Sequence, residues 1–161
     1  MTPETALTEQ DLDPVVFLAD TDPEAMQAMN AGLVAAFRAA HGHLGGAFDG
    51  VPVLLLTTTG ARSGLPRTTP VNYTRTADGG YVIVASKSGA PRHPDWYHNL
   101  LIHSDATVEL PGVTLCIRAR ISTGHEREQL FGNHAAALPN FTAYQRRTTR
   151  QLPVIVLHPT D

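Results

Sequence analysis

The chain predicts a mainly β protein with α additions, an antiparallel β-barrel carrying helices at its rim. Apolar runs of strand length recur from Val51 onward and are joined by turn signals, Asp78-Gly79-Gly80 and Pro111-Gly112 among them. Helical periodicity appears before the first strand and in inserts between later ones, so the strand-helix alternation of a parallel sheet is missing. A last apolar run, Val154–His158, follows the final insert and is expected to close the sheet.

Residues 1–20 are polar and acidic and read as a flexible arm, after which Thr21 and Asp22 offer an N-cap ahead of Pro23 at a first helical position. Met26, Met29, Leu33 and Phe37 then recur at helical spacing, which predicts an amphipathic helix over 23–41, stopped near Gly42. From Val51 the period changes. Val51–Thr58 reads as a buried strand, Arg67–Arg75 as a second and Tyr81–Ser86 as a third. His93 and Pro94 start a short helix through Asn99 toward His103, with Pro94 suited to its first position. Ala106–Leu110 and Val113–Ile121 form a hairpin. Thr123-x-x-Glu126 has the spacing of a capping box opening a helix to Ala137, and a helical turn holds Phe141–Arg147. The barrel with its inserts spans 51–158. No repeat or linker divides the chain, so residues 1–161 form one domain.

With 161 residues, 42% of them hydrophobic and 17% charged, the chain can bury a real core and is neither disordered nor fibrous. A net charge of −3 excludes generic nucleic-acid binding, which needs an excess of Lys and Arg. The single cysteine, Cys116, lies in an alternating apolar stretch and reads as a buried strand thiol without a disulfide partner. The opening residues carry no cationic start or apolar core, and nothing approaches the ~20 apolar residues of a membrane span. A cytoplasmic monomer or homodimer with no stable membrane insertion is expected. The apolar helix stripe reads as core packing, with peripheral contact at the inner membrane face as the alternative.

Chemistry-bearing residues concentrate between Leu54 and Asn99. Thr57, Thr58 and Thr59 end an apolar run, where hydroxyls and amides emerge from a finishing strand. Gly60 and Gly64 remove Cβ atoms that would block close backbone approach, and Arg62 and Arg67 add forked donors suited to phosphate or carboxylate. Ser86, Lys87, Ser88 and Gly89 repeat the recipe after the next hairpin. Two such clusters on neighbouring strands suit one extended anionic ligand, although spacing alone is equally met by a tight hairpin with solvated arginines. Gly60-Ala61-Arg62-Ser63-Gly64 lacks the Gly-Lys-Ser/Thr ending of a phosphate loop and leads into a strand. His41-x-His43, His98, His103, His125 and His134 show no convergence on a metal, Asp95 and Glu109 have no marked carboxylate partner, and no Ser-His-Asp arrangement is legible.

The stretches LLTTTGARSGLPRTTPV, VIVASKSGA and HPDWYHNL, with weaker similarity through Phe141-x-x-Tyr144 to Arg150-x-x-Pro153, resemble the deazaflavin (F420)-dependent nitroreductase family, which includes F420H2-dependent quinone reductases. The resemblance implies a split β-barrel related to the flavin-mononucleotide-binding reductases. It implies reduced F420 as cofactor and hydride transfer to a small electron-poor acceptor such as a quinone, an activated alkene or a nitro compound. By the same resemblance Thr59, Gly60, Arg62, Ser63, Gly64, Arg67 and Pro70 belong to the cofactor site, with Arg62, Ser63 and Arg67 near the phosphate and glutamyl tail. Ser86, Lys87, Ser88 and Gly89 match the segment beside the deazaflavin ring, and Trp96 and Asn99 the cofactor-facing helix. Tyr144, as proton donor or orienting group, and Ser86, as a hydrogen-bonding group for the acceptor oxygen, are the candidate catalytic residues; no metal is required. Phe141 stands where some relatives carry a tyrosine, a departure that weakens transfer of nitro-drug activation. The competing expectations are a split-barrel enzyme that uses flavin mononucleotide and a non-catalytic F420 carrier or sensor.

Overall fold

The computed structural model describes residues 23–48 and 50–160; the predicted arm and the Thr21-Asp22 cap lie outside that range. The strands are β1 (Val53–Thr59), β2 (Pro66–Asn72), β3 (Thr74–Arg75), β4 (Tyr81–Val84), β5 (Asp105–Leu110), β6 (Val113–Ile121) and β7 (Val154–Pro159). All pair antiparallel in one sheet of order β2-β1-β5-β6-β7-β4-β3. Helices α1 (Pro23–Ala39), α2 (Asp95–Ile102), α3 (Gly124–Ala137) and α4 (Asn140–Arg146) are added around it.

The strand order accounts for the curl. β2 and β3 lie at opposite ends of the sheet, yet only Tyr73 separates them in the chain, so the run 66–75 must bend to reach β1 on one side and β4 on the other. Closure therefore falls to this run, predicted as one straight strand, and not to the last strand. β7 sits between β6 and β4, in registers Ile121↔Ile155 and Val84↔Val154, and joins the two halves of the sheet. Its first four residues are all buried, as expected of a strand covered on both faces.

Two apolar clusters use the two faces. Leu54, Leu56, Ile83, Val108, Ile117, Ile155 and Leu157 fill the interior with Trp96 and Leu100 of α2. Val82, Val84 and Val154 pack on the other face against Phe141 and Tyr144 of α4 and Leu152. Cys116 corrects a prediction: the alternation along β6 buries Ile117 and turns the thiol to the exposed face. A second correction concerns α3. Thr123 is its N-cap but makes no side-chain cap bond, and the Glu126 carboxylate, the other half of a capping box, takes the Arg120 guanidinium at 2.6 and 3.1 Å instead of the Thr123 amide. A bidentate charged pair outcompetes a neutral amide for the same oxygens.

α1 is pinned at its C-terminal end. Phe37 is buried, Arg38 grips both Glu109 oxygens at 3.0 and 2.9 Å, and the Gly42 amide donates to the Phe37 carbonyl. Gly42 has φ +88°, and a Cβ there would lie 2.6 Å from the Pro111 Cα, so glycine is required twice over. The helix consequently stops at Ala39, two residues short of the predicted end. Its apolar stripe faces inward, since Met26, Met29 and Leu33 line a cavity against the sheet.

Candidate functional site

The cavity, about 300 Å³, lies between α1, β2, the end of β4 and the starts of α2 and α4. One wall is apolar and pliable: Met26, Met29 and Leu33 with Leu44 and Phe48. The facing wall carries Ser86, Lys87 and Ser88, flanked by Trp96, Phe141 and Tyr144, with Pro70 on the β2 side. Flat rings beside a short polar strip suit a planar heteroaromatic ligand with polar edges.

The polar strip is built under strain. Lys87 and Ser88 both have positive φ, 44° and 54°, followed by Gly89 at 80°. Left-handed backbone costs a non-glycine residue about 1–2 kcal/mol, so surrounding contacts must hold it. They come from the segment after α4. Arg150 donates from Nε to the Ala90 carbonyl at 2.9 Å, from Nη1 to the Ala85 carbonyl at 3.0 Å, and from Nη2 to the Ser86 carbonyl at 2.6 Å. Arg147 Nη1 donates to the Ser88 carbonyl at 2.9 Å. Arg150 Nη1 also lies 3.0 Å from His93 Nδ1, and because guanidinium can only donate, His93 is the acceptor with its proton on Nε2. Burial, then the Arg150 charge, holds the His93 pKa below its usual value, and burial lowers that of Arg150.

The β1–β2 turn is different. Thr59 pairs with Pro66 in the ladder, the Gly60 amide donates to the Leu65 carbonyl, and the Leu65 amide donates to Ser63 Oγ at 3.1 Å. Arg62 and Arg67 are exposed and make no hydrogen bond or ion pair among the described residues. Asn99 braces the turn from α2: its Oδ1 accepts from the Ala61 amide at 2.9 Å and its Nδ2 donates to buried Thr58 Oγ1 at 3.0 Å.

The predicted site residues therefore divide. Pro70, Ser86, Lys87, Ser88, Trp96 and Tyr144 line the cavity. Thr59, Gly60, Arg62, Ser63, Gly64 and Arg67 belong to the turn, joined to the cavity along β2, with Arg67 and Pro70 about 10 Å apart at strand rise. The two clusters do not stand on neighbouring strands, since β1 and β4 are not adjacent in the sheet. Lys87 accordingly stands in the cavity wall while Arg62 and Arg67 stand outside it. Gly60 and Gly89 make room for the protein itself: an added Cβ would meet Ser63 Oγ at 2.5 Å in one case and the Tyr144 carbonyl at 2.6 Å in the other. Trp96 and Asn99 divide their labour, because the amide is spent on the turn and only the indole reaches the cavity. Pro94 caps α2 from extended backbone instead of occupying its first turn.

Sequence reasoning did not single out Arg147, Arg150 or the α1 wall as parts of the site. A signal for the arginines exists: no Asp or Glu occurs between Glu128 and Asp161, so cations in that stretch lack local acids and must find carbonyls or anions.

A family model described as F420H(2)-dependent quinone reductase matches residues 31–159. The chain belongs to this family. It is 39% identical over 129 residues to an F420H(2)-dependent quinone reductase of Mycobacterium tuberculosis, a match covering 76% of this chain and 85% of that protein. The solved structure of an F420-H2 dependent reductase, FDR-A, matches with a TM-score of 0.61 at 37% identity, covering 66% of this chain and 94% of the other. A second solved chain, described as a domain-swapped dimer, matches with a TM-score of 0.62 at 37% identity over 66% of this chain and 80% of its own. The curled sheet of this F420H(2)-dependent quinone reductase family member is thus a split β-barrel. No helix among its described residues is long and apolar enough to cross a membrane.

Proposed function

We propose that the protein binds reduced F420 along β2 and reduces an electron-poor organic acceptor, a quinone first among them, in the Ser86–Tyr144 cavity. The observation that carries this reading is the set of unspent polar groups. The hydroxyls of Ser86 and Ser88, the Lys87 ammonium and the Arg62 and Arg67 guanidinia have no hydrogen-bond or ion-pair partner among the described residues. Their arrangement fits a long molecule with an anionic tail and a flat polar-edged head.

Bound reduced F420 supplies a hydride, and a proton from the protein or solvent completes the two-electron reduction of a quinone to its hydroquinone. Arg62, Ser63 and Arg67 hold the anionic tail at the turn. Trp96 and Pro70 wall the flat head, and Lys87 and Ser88 meet its polar edge. Ser86 Oγ donates to the acceptor oxygen that gains charge. Tyr144 delivers or orients the proton, its ring fixed edge-on against Phe141 at 5.3 Å. The Met26, Met29 and Leu33 wall excludes water from the reacting atoms.

Titration with F420 and with flavin mononucleotide tests the cofactor, and steady-state oxidation of reduced F420 against quinones, activated alkenes and nitroaromatics tests the reaction. Binding of F420 alone with quinone-dependent turnover is expected. Flavin binding instead, or F420 binding without turnover on any acceptor, points to the flavin enzyme or to the carrier respectively. Tyr144→Phe with undiminished turnover removes the phenol from the mechanism.

A further inference from the structure

We infer that Arg150 is a positioning residue for the reaction, holding the 85–90 loop so that its cavity-lining residues present donors to an oxygen that gains negative charge. The inference rests on the reduction proposed above.

The loop's hydrogen bonds give the reason. Five of its six carbonyls are spoken for: those of Ala85, Ser86 and Ala90 accept from Arg150, that of Ser88 from Arg147, and that of Lys87 from the Ala90 amide, while the sixth belongs to Gly89, which does not line the cavity. The groups left over on the cavity-lining residues can all donate. The Lys87 and Ser88 amides make no hydrogen bond among the described residues, and neither do the Ser86 and Ser88 hydroxyls. Consecutive amides in left-handed backbone form a concavity suited to an anion. One side chain thus draws back most of the loop's acceptors and leaves unpaired donors on three residues that line the cavity, Ser86, Lys87 and Ser88.

The charge of Arg150 adds to the effect. Nε, both Nη1 hydrogens and one Nη2 hydrogen are committed to three carbonyls and His93, and none to a carboxylate. An uncompensated cation behind a donor array favours negative charge in front of it. It favours the reduced, charge-bearing oxygen more than the neutral ground-state carbonyl, so its influence falls on kcat more than on KM. Lysine cannot replace it, because one ammonium cannot span three carbonyls in fork geometry.

The full-length protein with Arg150→Gln and Arg150→Lys tests this. Measured are the affinity for oxidised F420 by fluorescence, amide hydrogen exchange of the 85–90 segment, the thermal midpoint, and kcat and KM for a soluble quinone per F420-binding site. In Arg150→Gln the segment is expected to exchange faster and kcat to fall at least about tenfold, up to the ~10²–10³ seen when a direct donor to the oxyanion is lost, while quinone KM stays within about threefold. Arg150→Lys should fold better and lie between the two. Arg127→Gln, which removes a buried arginine bond to the Leu152 carbonyl away from the cavity, should lower the midpoint and leave kcat per site unchanged. Unchanged kcat per site in both Arg150 variants, or a fall that Arg127→Gln reproduces, overturns the inference. A wild-type protein that binds no F420 and oxidises none fails the reductase reading instead, and takes the inference with it.

Discussion

The Gly60–Gly64 turn and the Ser86–Ala90 loop are written in the same residue types, glycine, serine and a cation, and do opposite physical work. The turn is exposed beyond Gly60, tied to the body through Asn99 on the Ala61 amide, and leaves Arg62 in water. The loop is largely buried, held in left-handed backbone by two arginines, and keeps its polar groups against the cavity. Composition announces that anions are welcome. Whether the welcome is a mobile electrostatic rim or a rigid donor array depends on what lies behind the backbone.

The largest expected effect separates the two directly. Gly89→Ala puts a Cβ 2.6 Å from the Tyr144 carbonyl and 2.9 Å from the Arg147 Cβ, at φ +80°. Backbone strain of about 1–2 kcal/mol and overpacking of about 1–3 kcal/mol predict a loss of roughly 2–5 kcal/mol in unfolding free energy. Gly64→Ala, at φ +70° with nothing within 4 Å, should lose only the strain. Urea denaturation of both variants gives the answer, and equal losses would erase the distinction between loop and turn.

Acid should strike the loop's side of the molecule as well. His134 is fully buried, its Nδ1 is 2.9 Å from Thr74 Oγ1, its Nε2 has no partner among the described residues, and its ring stacks edge-on against Phe141 at 4.4 Å. Burial holds its pKa down to about 4. The unfolded chain, with an ordinary value near 6.5, binds the proton first, so this contribution is complete above about pH 6.5 and is lost as pH falls toward 4. The loss is on the order of 3 kcal/mol across that window. Unfolding free energy measured from pH 7 to 4.5 should fall in the wild type and fall less steeply in His134→Gln, where His93, also held low, still contributes. Glu126, held low by Arg120, and Asp78, held low by Thr76, act only in the carboxylate range below that window. A wild-type curve flat above pH 5 would show that His134 is not held neutral.

How much of this was legible in the sequence follows from which interactions are local. Turns such as Asp78-Gly79-Gly80 and the periodicity of α1 and β1 are written in neighbouring residues, and the elements fall within a few positions of their predicted bounds. Cys116, Glu126 and β7 were misread because a long-range choice decided each: which face of β6 turns inward, which cation captures a carboxylate, and where a strand slots into the sheet. Pro70, Ser86, Lys87, Ser88, Trp96 and Tyr144 were legible through a motif and do line the cavity. Arg150 acts on carbonyls some sixty positions earlier, and carbonyls carry no sequence signature.

Asn99 offers a smaller, sharper test, because it is the link between α2 and the turn. Asn99→Leu removes a buried bond to Thr58 Oγ1 and the brace on the Ala61 amide. A cost of about 1–3 kcal/mol is expected, the range for stranding a buried polar group. Because the brace holds the turn and not the loop, F420 affinity should weaken while kcat at saturating F420 stays close to wild type. A fall in kcat as large as that expected of Arg150→Gln would mean that turn and loop are one mechanical unit.

The smallest effect on stability, and the cleanest on binding, belongs to the exposed cations. The exposed Arg62 and Arg67 side chains make no hydrogen bond or ion pair among the described residues, so Arg62→Gln with Arg67→Gln should change unfolding free energy by no more than about 0.5 kcal/mol. Affinity for F420 should fall roughly tenfold at low salt, since exposed charges act on an anionic tail across water with a screening length of about 10 Å at 0.1 M. The difference between wild type and variant should then shrink toward nothing at about 1 M salt, where that length is about 3 Å. Gly89→Ala, acting through packing, should show no such convergence. Fluorescence titration of both proteins across a salt series reads the contrast, and a double variant that keeps wild-type affinity at every ionic strength would detach the turn from the ligand and leave the cavity as the whole of the site.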